Sequence, residues 1–195
     1  MSVPSGFVIW LTGLPASGKT SLAHAIQEQL LKQHVPSVIL DSDELREKFT
    51  PKPAFTDEER SWFYDVISYL AAHLSQSGTN VLIAATGNLR GYREKARQQV
   101  EHFAEVFLQC PLVICEERDP KGIYALAKQG DADYVPGVNV PYEAPFAPEL
   151  VVDMSQVLPS IAAESVIRQL RLTGVISNEG RKVQSNSLTG SLSAM

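Results

Sequence analysis

An α/β architecture is predicted: a five-stranded parallel sheet flanked by helices on both faces, with a lid over one edge. Three observations predict it. Short apolar runs occur at residues 7–11, 38–40, 81–85, 104–108 and 150–152, the unbroken pattern of strands buried on both faces. Segments with apolar residues at helical spacing lie between them. One long stretch without periodicity, residues 130–148, is rich in Gly, Pro, Asp and Asn.

The first run, Phe7-Val8-Ile9-Trp10-Leu11, leads into Gly13-Leu14-Pro15-Ala16-Ser17-Gly18-Lys19-Thr20. Leu22, Ala23, Ile26, Leu30 and Leu31 then mark a helix. Strand, glycine-rich turn and helix form the setting in which G-x-x-x-x-G-K-[ST] binds the phosphates of a nucleoside triphosphate. Glycines let successive backbone N–H groups curl around a polyphosphate, and the helix N-terminus adds partial positive charge. Lys19 is expected on the β- and γ-phosphates of ATP and the Thr20 hydroxyl on Mg²⁺, with residues 13–21, Ser21 included, around the nucleotide. The bland alternative is an ordinary glycine-rich turn with an exposed lysine; both flanks speak against it.

The second strand ends at Asp41-Ser42-Asp43, beside the first loop, where parallel sheets bind ligands. A metal-facing or general-base role suits Asp43. The same residues are good helix N-caps, and both roles can hold at once. Thr50-Pro51-Lys52-Pro53 marks a loop, and Thr56-Asp57-Glu58-Glu59 resembles a capping box opening a long helix to about residue 74. The third strand runs into Thr86-Gly87-Asn88-Leu89-Arg90. Arg90, Arg93 and Arg97 share one helix face and are suited to anionic oxygens, although a solvated face suits Arg97 better. The fourth strand closes at Cys110-Pro111, and two short helical segments follow around a break at residues 118–122. A length of irregular chain such as 130–148 is a lid or a linker, and Tyr134 and Tyr142 favour a lid. A last helix spans about 158–170.

One domain, residues 1–172, accommodates all of this, and residues 173–195 hold too few large apolar groups to order themselves as anything but a tail. The net charge of −5 disfavours nucleic acid as a partner. No export signal opens the chain and no apolar run is long enough for a bilayer, so a cytoplasmic location without a membrane partner is expected. The two cysteines, Cys110 and Cys115, read as buried thiols rather than a disulfide.

The segment Cys110-Pro111-Leu112 through Cys115-Glu116-Glu117-Arg118-Asp119-Pro120-Lys121-Gly122-Ile123-Tyr124 reads nearly as CPLEVCEERDPKGLY, and Pro141-Tyr142-Glu143-Ala144-Pro145 as PYEAP. Leu40-Asp41-Ser42-Asp43 resembles LDGD, and Phe55 with Glu59-Arg60 resembles FS-x-EDR. These motifs, over about residues 8–153, resemble the adenylylsulfate (APS) kinase family. The resemblance implies transfer of phosphate from MgATP to the 3′-hydroxyl of adenosine 5′-phosphosulfate. It implies Lys19, Asp43 and Arg90 as catalytic groups and Thr20 and Asp43 at the metal. Asp41, Arg46, Phe55, Arg60 and Lys121 would bind the acceptor: Arg46 and Arg60 its anionic end, Phe55 its adenine. It also implies a homodimer.

The departures from the family pattern gather at the acceptor. Phe63 stands where the family has asparagine, Thr86-Gly87-Asn88 replaces ISP, and Asp133-Tyr134-Val135-Pro136-Gly137 replaces KNFTG. Loss of the second aromatic ring at Val135 is expected to weaken adenine binding by about one to two decades unless Tyr134 supplies a ring. Asp133 in place of a cation acts in the same direction. Two other functions stay open at this point: a kinase of another small nucleotide-like or sugar-phosphate acceptor, and a nucleotide-binding regulator without catalysis.

Overall fold

The computed structural model describes residues 4–177. Its five strands are β1 (Phe7–Thr12), β2 (Ser37–Asp41), β3 (Asn80–Ala84), β4 (His102–Gln109) and β5 (Leu150–Asp153). They form one sheet, ordered β2-β3-β1-β4-β5, with every pair parallel. The helices are α1 (Lys19–Lys32), α2 (Ser42–Phe49), α3 (Asp57–Gln76), α4 (Arg90–Gln99), α5 (Leu112–Arg118), α6 (Ile123–Gln129) and α7 (Pro159–Leu172). None of the described helices is long and apolar enough to cross a membrane.

The central strand explains the layering. All six residues of β1 are buried, so both faces of the strand need cover. Its side chains alternate between two cores, as the pleat dictates. Phe7, Ile9 and Leu11 pack with Leu22, Ile26 and Leu30 of α1 and Val166 and Leu170 of α7. Val8 and Trp10 pack with Phe63, Ile67 and Ala71 of α3 and Tyr92 and Ala96 of α4. Because the strands are parallel, their C-terminal ends share one edge, and the loops after β1, β2, β3, β4 and β5 converge there.

Local chemistry sets the helix starts. Thr56 caps α3 by accepting the Glu59 N–H at 3.2 Å. The expected capping box is only half made, because the Glu59 carboxylate turns to the Ala54 N–H and to Arg46. Asp41 caps α2, accepting the Asp43 N–H at 2.8 Å.

Two of the arginines read as anion-binding or solvated are bound to carboxylates of the fold instead. Arg93 is 2% exposed and donates to the Glu105 carboxylate, the Gly87 carbonyl and the Glu143 carbonyl. Arg97, expected on a solvated face, donates to both oxygens of Glu149 at 2.5 and 2.9 Å, and this partner raises its pKa further. Glu149 in turn accepts the Glu105 N–H at 2.6 Å. These bonds pin the strap of residues 141–149 across the end of the sheet. For Arg93 burial is the reason for the pairing, since an unpaired guanidinium in that position would be very costly.

The expected tail does not depart from the domain at residue 173. Ile176 is 1% exposed and belongs to the α1/α7 core, with its N–H on the Leu170 carbonyl. The remainder, 178–195, lies outside the described residues.

Replacing Arg93 by Met leaves Glu105 without its main cation and two carbonyls without a donor. The expected loss is about 3 kcal/mol of unfolding free energy, read from the urea midpoint. A loss under about 1 kcal/mol would show that the strap is held by other contacts.

Candidate active site

A cleft of about 640 Å³ opens at the shared strand edge. One wall is the turn between β1 and α1. There Gly13 is packed so closely that a Cβ would stand 2.7 Å from the Leu108 carbonyl oxygen and from Ser17 Oγ. Gly18, at φ +98°, holds a left-handed conformation that begins α1. Only glycine meets both demands cheaply, which gives the motif its fixed glycines.

Lys19 folds back over this turn, donating to the carbonyls of Gly13 at 3.1 Å and Leu14 at 2.7 Å. Burial lowers its pKa from 10.5 to about 8, opposed chiefly by the negative charge of Asp43. Thr20 Oγ1 donates to Asp41 Oδ2 at 2.7 Å, a bond between the end of the turn and the tip of β2. Asp41 is 9% exposed, whereas Asp43 is open to solvent and forms an ion pair across the cleft with Lys121 of the α5–α6 loop. Thr20 and Asp41 are thus the adjoining hard oxygen donors. A hydroxyl beside one carboxylate fits Mg²⁺, which keeps waters and phosphate oxygens as its other ligands. Asp43 is near Lys19 but is not the carboxylate on Thr20.

The opposite wall carries the expected acceptor residues. Arg46 donates to Glu59 at 3.1 Å and lies 3.9 Å over the ring of Phe63, so Phe63 anchors an arginine. Arg60, 5% exposed, donates to the carbonyls of Phe55 at 3.0 Å and Tyr134 at 2.7 Å. Burial lowers the Arg60 pKa from its usual 12.5. The rings of Phe55 and Tyr134 stack, with centroids 4.3 Å apart and planes at 12°. A second ring therefore faces Phe55 despite Val135, which is fully buried in the cluster under the lid. Asp133 is exposed and is not among the residues lining the cleft, so the expected repulsion of an anionic acceptor has no direct source there.

Arg90 departs from expectation. It does not line the cleft; its guanidinium donates to the Ala144 carbonyl at 3.0 Å and lies 3.7 Å over Phe146. Asn88 is likewise turned to the strap, donating to the Pro141 carbonyl at 3.1 Å. Conversely, nothing in the sequence pattern singles out Arg118, which lines the cleft and ties α5 to the loop after β5 through the carbonyls of Met154 and Ser155. That loop supplies Ser155, Gln156 and Val157 as a further wall beside Gly18.

The floor under the lid links these parts. Tyr124 of α6 donates to the Pro15 carbonyl at 3.0 Å, and Leu14 and Ala16 pack with Cys115, Ala132 and Val135. Both cysteines are free and buried, as expected. Burial pushes the Cys115 thiol up to about 12, so it stays neutral.

A family model for adenylylsulphate kinase matches residues 5–153. The chain belongs to the adenylylsulphate kinase family. It is 37% identical over 174 residues to the adenylyl-sulfate kinase of Geotalea daltonii, covering 88% of this chain and 86% of that one. It is 34% identical over 179 residues, 92% of its length, to a probable bifunctional SAT/APS kinase 2 of Sorangium cellulosum, and spans only 31% of that longer protein. Among solved structures, the APS kinase CysC of Mycobacterium tuberculosis in complex with AMPPNP and APS matches with a TM-score of 0.81 and 34% identity. That match covers 86% of this chain and 99% of the other.

The depressed pKa of Lys19 predicts a pH dependence of nucleotide binding. Between about 8 and 10.5 the unfolded chain binds more protons at this lysine than the folded chain does. The ligand-free protein accordingly gains stability as pH rises through that window. A polyphosphate beside Lys19 favours the ammonium, so its binding at pH 9 should take up about one proton. Calorimetry of MgATP binding in two buffers of different ionisation enthalpy measures it. Uptake that persists in Lys19→Ala would assign the proton to another group.

Proposed function

We propose that the protein is an adenylylsulfate kinase, moving the γ-phosphoryl group of ATP to the 3′-hydroxyl of adenosine 5′-phosphosulfate. The observation that carries this reading is one cleft with a phosphate-binding turn on one wall and an aromatic, arginine-backed slot on the other. Family membership, and a relative that binds both AMPPNP and APS, support the two ligands.

In the proposed reaction the acceptor oxygen bonds to the γ-phosphorus as the bond to the β–γ bridging oxygen breaks, and ADP leaves. There is little covalent work for the protein, so positioning and charge stabilisation dominate. The backbone N–H groups of residues 13–20 cradle the phosphates, and Lys19 exchanges its two carbonyl partners for phosphate oxygens. Thr20 and Asp41 would hold Mg²⁺, which would supply charge neutralisation on the phosphates. Asp43, freed from Lys121, receives the hydroxyl proton. Lys121 then faces the transferring group, and Arg46 and Arg60 face the anionic end of the acceptor. Arg118 and the loop after β5 flank the nucleotide base. Free buried thiols suit a reducing compartment, and we place the protein in the cytoplasm.

A second reading, an acceptor of different chemistry in the same slot, is favoured by Tyr134 standing against Phe55 and by Phe63 engaging Arg46. A coupled assay with MgATP decides between them. APS should be turned over with a higher kcat/KM than any sugar phosphate or other nucleotide offered; a better alternative acceptor would overturn the APS assignment. Lys19→Ala should lower kcat by at least about 100-fold, as loss of a preorganised cation at the transferring group does. Unchanged turnover would exclude the phosphate role.

A further inference from the structure

The Tyr134 ring covers one face of Phe55, the residue on which the kinase reading lays the flat ring of the acceptor. Both residues line the cleft. Their centroids are 4.3 Å apart, whereas a third ring between them needs roughly twice the 3.5–4.0 Å contact distance of carbon atoms. The slot and its occupant are held by the same group. Arg60 donates through Nε to the Phe55 carbonyl and through a terminal nitrogen to the Tyr134 carbonyl. Phe55 itself has φ +55°, a left-handed conformation that a bulky residue keeps only when its surroundings enforce it.

The main chain on either side of Tyr134 is fastened. Ala132 and Val135 are buried, the Asn139 side chain accepts the Val135 N–H at 2.7 Å, and it donates to the Ala132 carbonyl at 2.6 Å. The Tyr134 side chain is only partly buried. The freedom at this position therefore lies in the ring, by rotation about its side-chain bonds, rather than in the segment that carries it.

We propose that Tyr134 is a self-occluding gate: its ring stands in for the flat group of the acceptor, must swing away from Phe55 before that group binds, and so sets which acceptors are admitted. This rests on the kinase reading for the location of the acceptor slot. An acceptor without a ring has no flat group to lay on Phe55 and does not displace the Tyr134 ring. The gate thus lowers the affinity of every acceptor that carries a flat ring, and leaves one without a ring unaffected. A protein whose binding-competent state is only partly populated shows an affinity reduced by that fraction.

The test is calorimetric binding of APS, AMP and ribose 5-phosphate to the protein saturated with MgADP. Removing the ring in Tyr134→Ala should tighten APS and AMP binding by about two- to tenfold, the range that a single aromatic stack supplies, and leave ribose 5-phosphate unchanged. Tyr134→Phe, which keeps the stack, should behave as the unaltered protein. Weaker binding of APS and AMP by Tyr134→Ala would make the ring a platform for the base and overturn the gate; unchanged binding would overturn it equally. Fluorotyrosine labelling of the unaltered protein gives a readout that needs no variant. The Tyr134 resonance should shift when AMP is added, and a resonance that stays in place contradicts the proposal. If APS proves not to be a substrate, the kinase reading fails in the turnover assay, while AMP against ribose 5-phosphate still reports on the gate.

Discussion

Burial of both faces of β1 is the constraint from which the rest of the molecule follows. A strand without a solvent-facing residue needs a helical layer on each side, and parallel strands joined through such layers deliver all their C-terminal ends to one edge. The phosphate-binding turn springs from the end of β1 itself. Its neighbours β3 and β4 are then the strands whose following loops lie nearest, and β2 and β5 bring Asp41 and the 154–157 loop to the flanks. Chemistry scattered over 140 residues of sequence meets in one cleft because a single dry strand sets the order of layers.

Within that frame the arginines divide by what surrounds them. Arg93 and Arg97 are enclosed with Glu105 and Glu149 and serve the architecture. Arg46 and Arg60 lie along the cleft, each laid over the ring of Phe55 and each bonded to a group that a ligand could replace. Guanidinium groups accept aromatic faces and planar oxygen donors alike, so one residue type fills both roles. Partner and place in the fold, rather than residue identity or exposure, separate them.

How far the sequence speaks follows from whether a feature is local. The turn at residues 13–20 is contiguous, its glycines stand at fixed spacing, and its flanks carry periodicity, so strand, turn and helix were all legible, although the close approach of Leu108 to Gly13 was not. The strand positions were legible for the same reason, since apolar runs need no partner to be recognised. The role of Arg97 was not, because its partner Glu149 lies 52 residues away and helical spacing reports only on neighbours along the same helix. Asp41 and Asp43 were both visible as carboxylates after β2. Which of them reaches Thr20 depends on which one caps α2, a matter of two residues that boundary prediction does not resolve. Tyr134 was visible as an aromatic lid residue, but the ring opposite it belongs to the loop before α3, and only the assembled fold brings the two together.

The irregular stretch 130–148 is not one mechanical unit. Its second half is bolted to the sheet: the Glu143 N–H donates to the Asn88 carbonyl, the Asn88 side chain donates to the Pro141 carbonyl, Arg93 reaches the Glu143 carbonyl, and Tyr142 OH sits 3.2 Å from Thr12 Oγ1 at the tip of β1. Its first half is held to the rest of the domain mainly by apolar packing with Leu14, Cys115 and Tyr124, by the Asp131 N–H on the Leu126 carbonyl and by Arg60 on the Tyr134 carbonyl. Heating or a protease would therefore free the two halves in sequence, the turn around Pro136 first and the strap last. The protein can lose its cover while the wall behind the phosphates stays standing.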